Sequence, residues 1–278
     1  LVPTRVIDAA VSDLWTIYPT PEEFADLDNQ KRQAFLESKP TASRTTDTGS
    51  DGPAFREEQF VGHRTFPFST GLDLNRLVLN ERVLTFAEEA LDSGDIRLYQ
   101  AGLWAKYAGA SNYSQPFHVD PNHSVVPARP DPGWWFLEGF LYLNDVDENN
   151  GAPELLPRHD SPALDAVSAA GPRGSFLAYR GDVWRRAVDL FDPGSSRFVL
   201  ILCFKLPGQD WIGYDSMAKM IDHWRFASIV AESNPRQLAA LGIPLPGHDF
   251  WTVAGVEALA EKYPGLDTEP WRLALGLG

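Results

Sequence analysis

Ile96-Arg97-Leu98-Tyr99-Gln100-Ala101-Gly102-Leu103-Trp104-Ala105-Lys106-Tyr107 is the stretch whose texture decides the fold. With Trp134 to Val146, Ser175 to Tyr179, Asp182 to Val188 and Arg197 to Lys205, it makes a series of short, aromatic and β-branched runs. Clusters of Gly, Pro, Asn and Asp separate them, as turns separate strands. The pattern predicts a sandwich or barrel over residues 95 to 205.

Helical signals lie on both sides of this block. Leu14, Trp15, Tyr18, Phe24, Leu27, Phe35 and Leu36 recur at helical spacing, and Pro19 and Pro21 break them into two pieces. Thr41 to Pro53 is polar and nearly free of apolar residues, so 41–56 is expected to be a surface loop or partly disordered. A helix carrying Leu77, Val78, Leu79, Val83, Leu84, Phe86, Ala87 and Leu91 is expected to end at Ser93-Gly94. Beyond Lys205, Met217, Met220, Ile221, Trp224, Ile229 and Val230 suggest one helix. Asn234-Pro235 reads as an N-cap with proline in the first turn, and a third helix runs from about Thr252 to Tyr263. The expected organisation is one domain over 1–278: a helical part to residue 94, a β core over 95–205 and a helical part over 206–278.

Composition narrows the partners. The 278 residues carry 24 Lys+Arg against 38 Asp+Glu, a formal charge of −14 without a basic run, which argues against nucleic acid. No apolar stretch approaches the ~18 residues of a membrane span and no signal-peptide pattern opens the sequence, so a cytoplasmic chain is expected. The single cysteine, Cys203, sits in the apolar run Phe198 to Phe204 and reads as a buried small hydrophobe. The chain has neither a Gly-x-Ser-x-Gly elbow nor a phosphate-cradling Gly-x-x-x-x-Gly-Lys loop.

The chemistry-bearing segment is Gln115-Pro116-Phe117-His118-Val119-Asp120. In extended backbone His118 and Asp120 point to the same side, which makes two thirds of a two-His, one-carboxylate facial triad for non-haem Fe(II). Alone the motif is common. Its setting is an ordered series: Asp95 to Gly109, Gln115 to His123, Glu138 to Val146, Asn150-Gly151-Ala152-Pro153, Arg180 to Trp184, Asp192 to Leu200, and the tail segments Pro235 to Leu238, Gly242 to His248 and Tyr263 to Gly265. That series, over roughly residues 95 to 270, resembles the phytanoyl-CoA dioxygenase family.

The resemblance implies a mainly β protein with a double-stranded β-helix (jelly-roll) core flanked by N- and C-terminal helices. It also implies an Fe(II)- and 2-oxoglutarate-dependent dioxygenase that uses O2 to oxidise a small organic or lipid-like substrate, releasing succinate and CO2. His118 and Asp120 match the first histidine and the carboxylate of the triad. Gln115 matches a residue that contacts 2-oxoglutarate, and Arg197 matches the arginine that grips its far carboxylate, a role suited to a planar guanidinium fork. Phe140 and Tyr142 share a strand face and are expected to border that pocket, which makes Tyr142 a further cofactor-binding candidate.

One position departs from the family. The second metal histidine is replaced by Arg185, in Val183-Trp184-Arg185-Arg186-Ala187. Two-residue alternation sends Arg185 into the pocket and Arg186 away. A guanidinium offers no lone pair to a metal. At 4 Å from a divalent ion and an effective dielectric of 20, it adds about 8 kcal/mol of repulsion. An ion pair with Asp120 is the expected compensation. His63, His123, His159, His223 and His248 are the other histidines, and none restores the triad by its place in the sequence. Two readings stand: a dioxygenase, or a metal-deficient pseudoenzyme or binding protein on the same fold. A third takes Arg185 as a change from an active parent.

Overall fold

The computed structural model describes residues 1–28, 30–31, 61–108, 114–118, 136–156, 165–209 and 224–277. Its strands form two antiparallel sheets. One is five-stranded, in the order β1 (Val61–Thr65), β2 (Arg97–Tyr107), β8 (Ser196–Lys205), β3 (Leu137–Tyr142) and β6 (Phe176–Arg180). The other is three-stranded, in the order β5 (Val167–Ser168), β4 (Glu154–Leu156) and β7 (Trp184–Arg186). Two antiparallel sheets with helical flanks are compatible with the jelly-roll expectation.

β8 shows how the sequence builds two cores from one sheet. It lies between β2 and β3 and is buried along its whole length. Phe198, Leu200, Leu202 and Phe204 face the helices, whereas Val199, Ile201 and Cys203 join a second cluster on the opposite face. That division is the two-residue alternation of a strand with both faces covered. β2 pairs with β8 from Arg97↔Lys205 to Tyr107↔Ser196, with a shift of register between Leu98 and Gln100. The shift reverses which parity faces the helices: Leu98 does before it, and Ala101, Leu103, Ala105 and Tyr107 do after it. Trp104 and Lys106 therefore turn toward the second sheet.

The helix face is built by elements from both ends of the chain. Helix α1 (Thr4–Leu14) buries Ile7, Ala10 and Leu14, a single stripe. Thr20 and Glu23 form a capping box on α2 (Pro21–Asp26), and Phe24 from that helix stacks on Tyr107 at 4.2 Å. Phe198 receives Trp15 and Tyr107 edge-on at 5.0 and 5.3 Å. Helix α3 (Leu72–Arg76) and a 3-10 turn (Leu77–Leu79) precede α4 (Glu81–Leu91), which buries Val83, Leu84, Ala87 and Leu91. At the other end α5 (Trp224–Glu232), α6 (Pro235–Ala240), α7 (Val253–Lys262) and α8 (Glu269–Ala274) complete the face.

Several expectations need correction. The helix expected to end at Ser93-Gly94 ends earlier, with Asp92 in the left-handed conformation at φ 50°. Short acidic side chains tolerate that region better than most. The stretch from Leu77 is a 3-10 turn followed by a fresh helix capped by Asn80, not one helix. The 41–56 loop and the Met217 to Ile221 segment lie outside the described residues. Cys203 is buried as expected, and burial pushes its thiol well above the ordinary range.

Candidate functional site

Residues 114–118 extend the three-stranded sheet. The Gln115 N–H donates to the Ala187 carbonyl at 2.9 Å, and His118 and Arg185 exchange both backbone hydrogen bonds, at 2.9 and 2.8 Å. Antiparallel partners directly opposite each other send their side chains to the same face. The residue facing His118 across the ladder is therefore Arg185.

His118 Nδ1 lies 2.8 Å from the Pro116 carbonyl oxygen. A carbonyl only accepts, so the proton sits on Nδ1 and the lone pair on Nε2. Burial, then the Arg185 guanidinium, lowers the pKa of this imidazole and keeps it neutral. Arg185 itself is 6% exposed, with Nη2 3.7 Å from Glu138 Oε2 and its guanidinium over the Phe140 and Tyr179 rings at 5.7 and 5.4 Å. Burial depresses its pKa to about 10, so it stays protonated at neutral pH. Arg186 turns the other way, to Glu154 at 2.6 Å and the Phe117 ring at 4.6 Å. The expected Arg185–Asp120 pair cannot be placed, because Asp120 lies outside the described residues; the described counter-charge is Glu138.

The second centre of charge is on the five-stranded sheet. Arg197 on β8 pairs with Lys106 on β2, so both side chains enter the space between the sheets. Arg197 is 4% exposed and donates to the Gly151 carbonyl. Gly151 holds φ +79°, and a Cβ there would sit 2.7 Å from the Val188 carbonyl oxygen, so the loop that presents this acceptor needs glycine. Lys106, 1% exposed, donates to the Val188 carbonyl at 2.7 Å and lies 3.7 Å from Asp189. Burial, then Arg197, lowers its pKa to about 8. Arg197 is lowered to about 10 by burial.

Two other predicted residues hold the frame. The Gln115 side-chain oxygen accepts from the Ala187 N–H at 3.0 Å, fixing the segment that carries His118. Tyr142 donates its hydroxyl to the Ala169 carbonyl at 2.6 Å, and burial pushes its pKa up to about 12 against the pull of Arg197. The pocket between Arg185 and Arg197 is walled by Trp104, Phe140, Pro153 and Val199, and its side chains leave room for about one water.

Asp120, the predicted carboxylate ligand, lies outside the described residues. Among the described residues no three His, Cys, Asp or Glu side chains converge. The residue opposite His118 is a cation with no lone pair to give. His123, His159 and His223 lie outside the described residues, and His63 is on β1. His248 is in the C-terminal part, where its Nδ1 accepts the Phe250 N–H at 3.0 Å.

No family model and no curated protein matches the chain. Solved structures do. AviO1 from Streptomyces viridochromogenes Tue57 matches at 15% identity and TM-score 0.45, covering 75% of this chain and 87% of that one. SnoK, a non-haem alpha-ketoglutarate-dependent carbocyclase from nogalamycin biosynthesis, matches at 14% and 0.44, covering 65% and 77%. The non-haem monooxygenase ThoJ, in a nickel complex, matches at 13% and 0.44, covering 74% and 71%. A likeness at this level assigns no role to any residue here.

Sequence reading missed Lys106 and Glu138. The signal was present in both cases: a charged residue interrupts an otherwise apolar strand, at Trp104-Ala105-Lys106-Tyr107 and at Leu137-Glu138-Gly139-Phe140. A buried charge in such a run marks a candidate site.

Proposed function

We propose that the space between the two sheets binds a small organic acid without iron, so that the chain works as a binding protein on an oxygenase-type jelly roll. The observation that carries this reading is the pairing of Lys106 with Arg197, two buried cations directly opposite each other. Asp189, 3.7 Å from Lys106, is a carboxylate described beside the pair, and a bound anion adds negative charge there while taking charge-assisted hydrogen bonds from both cations. The motif resemblance makes 2-oxoglutarate the first acid to try. Calorimetry on chelator-treated protein should give saturable 2-oxoglutarate binding that Arg197→Gln abolishes. Absence of binding to the folded protein at millimolar acid defeats the proposal.

A second reading, the Fe(II)- and 2-oxoglutarate-dependent dioxygenase acting on a small organic or lipid-like substrate, is favoured by the His118 tautomer, which leaves Nε2 as an acceptor, and by Asp120 two residues on. It requires succinate release with Fe(II), ascorbate and O2 above a His118→Ala control. Turnover by the unmodified chain would establish it over the binding reading. Turnover by Arg185→His alone would mark Arg185 as a change from an active parent.

A further inference from the structure

A second cavity, of about 350 Å³, opens where α2, the end of β2 and the loop from β7 into β8 meet. That is a usual size for a small-molecule pocket. Its lining is rich in carbon: Pro21 and Phe24 from α2, Tyr107 from β2, and Leu190, Phe191 and Pro193 from the loop. Phe24 and Tyr107 are buried and stacked at 4.2 Å, and the Tyr107 hydroxyl donates to the Pro19 carbonyl at 2.6 Å, so both rings are held in place. Phe191 is the opposite case, 65% exposed. Its loop is nonetheless tied down: the Phe191 and Asp192 N–H groups both donate to the Asn149 carbonyl, at 2.7 and 3.3 Å, and the Ala108 N–H donates to the Ser195 carbonyl at 2.9 Å. A large apolar side chain held in water beside a cavity gains free energy from whatever covers it. The cavity also has a sign. Asp192 is the one charged side chain among its described lining residues, and its carboxylate forms no ion pair among the described residues. Aromatic faces attract cations, and the field of a chain carrying −14 repels anions.

We infer that this cavity is a separate ligand site, for a small aromatic amine: the apolar lining takes the ring, and the Asp192 carboxylate selects the charge. The site shares no lining residue with the pocket between Arg185 and Arg197, so it stands apart from the acid-binding reading. Its space is present before a ligand arrives. Asp192 is exposed, so its contribution is that of a surface ion pair, which tunes the affinity that apolar contact supplies.

The test is ligand-observed NMR and calorimetry on the full chain with three probes of one shape: naphthylethylamine, naphthylethanol and naphthylacetate. The amine should saturate with a Kd of about 1 mM or below. The alcohol should bind about threefold more weakly, the worth of one exposed ion pair, and the acid more weakly again. Asp192→Asn should bring amine and alcohol to equal affinity without weakening the alcohol. Phe191→Ala should weaken binding of all three by about tenfold. Both side chains are exposed, so both variants should fold. Ala25→Trp, which fills the cavity from the exposed side of α2, should abolish binding. No saturable binding of amine or alcohol overturns the site, and so does binding that Phe191→Ala and Ala25→Trp leave unchanged. Acid bound as tightly as amine overturns the amine class. Self-association of the chain that Phe191→Ala removes would make this face an interface between copies and overturn the ligand site as well.

Discussion

Placing the Lys106 ammonium beside the Arg197 guanidinium, both out of water, raises the free energy of the folded state in a way that pH reads out. The folded pKa of Lys106 is lowered from 10.5 to about 8. Below pH 8 the lysine is protonated folded and unfolded alike, and the penalty is present in full. Between pH 8 and 10.5 the unfolded chain holds more protons, so this group makes stability rise with pH. The shift corresponds to something on the order of 3 kcal/mol. Urea unfolding of the unmodified chain and of Lys106→Met should show the variant more stable at pH 7, with the difference shrinking toward pH 10.5. The tyrosines that titrate in the same range cancel in that difference. A pH-independent difference would mean that Lys106 is not strained. If the site binds acids, the same variant should lose acid affinity as it gains stability, the exchange expected of a residue kept for function.

Strands and helices differ in how much of them could be read beforehand. Phe198 sits where β8 meets Trp15, Tyr18 and Tyr107. Phe198→Ala should cost about 3–5 kcal/mol in chemical denaturation, the usual loss for a buried aromatic. A cost under 1 kcal/mol would show that the helical flank does not depend on this contact. At the C-terminal flank the Asn234 side chain caps Gln237 N–H, and Gln237 returns the bond to Asn234 N–H. Asn234→Ala should lower stability by about 1 kcal/mol, and an unchanged melting midpoint would mean that α6 adds nothing to global stability. These elements were legible because caps and two-residue alternation are local signals. β4 and β5, with three and two residues, were not, since neither is long enough to show a period. The placement of Arg185 followed from alternation along one strand. The Glu138 carboxylate described beside it did not, because Glu138 belongs to the other sheet and only the packing of the two sheets brings it within 3.7 Å.

Across the whole molecule the charge is divided by depth. The chain carries −14 overall, yet Lys106, Arg185 and Arg197 are buried between its sheets. A ligand that binds only the folded state stabilises it by RT ln(1 + [L]/Kd), about 2.7 kcal/mol at a hundredfold excess over Kd. For a chain of this size that is a rise of several degrees in Tm. Interior cations make the sign of the ligand decisive. 2-Oxoglutarate should raise Tm in the presence of chelator, and the rise should vanish in Arg197→Gln, whereas Fe(II) or Mn(II) alone should leave the Tm of the unmodified chain where it was. Arg185→His removes the repelling cation and returns a lone pair opposite His118, so this variant should gain a metal-dependent rise that the unmodified chain lacks. Stabilisation of the unmodified chain by Fe(II) would show that the guanidinium leaves the metal position when metal is supplied, and the site would then have to be read as a metal centre with a movable arginine. A rise with neither metal nor acid would leave the buried cations as features of packing, with Glu138 and Asp189 as their intended partners.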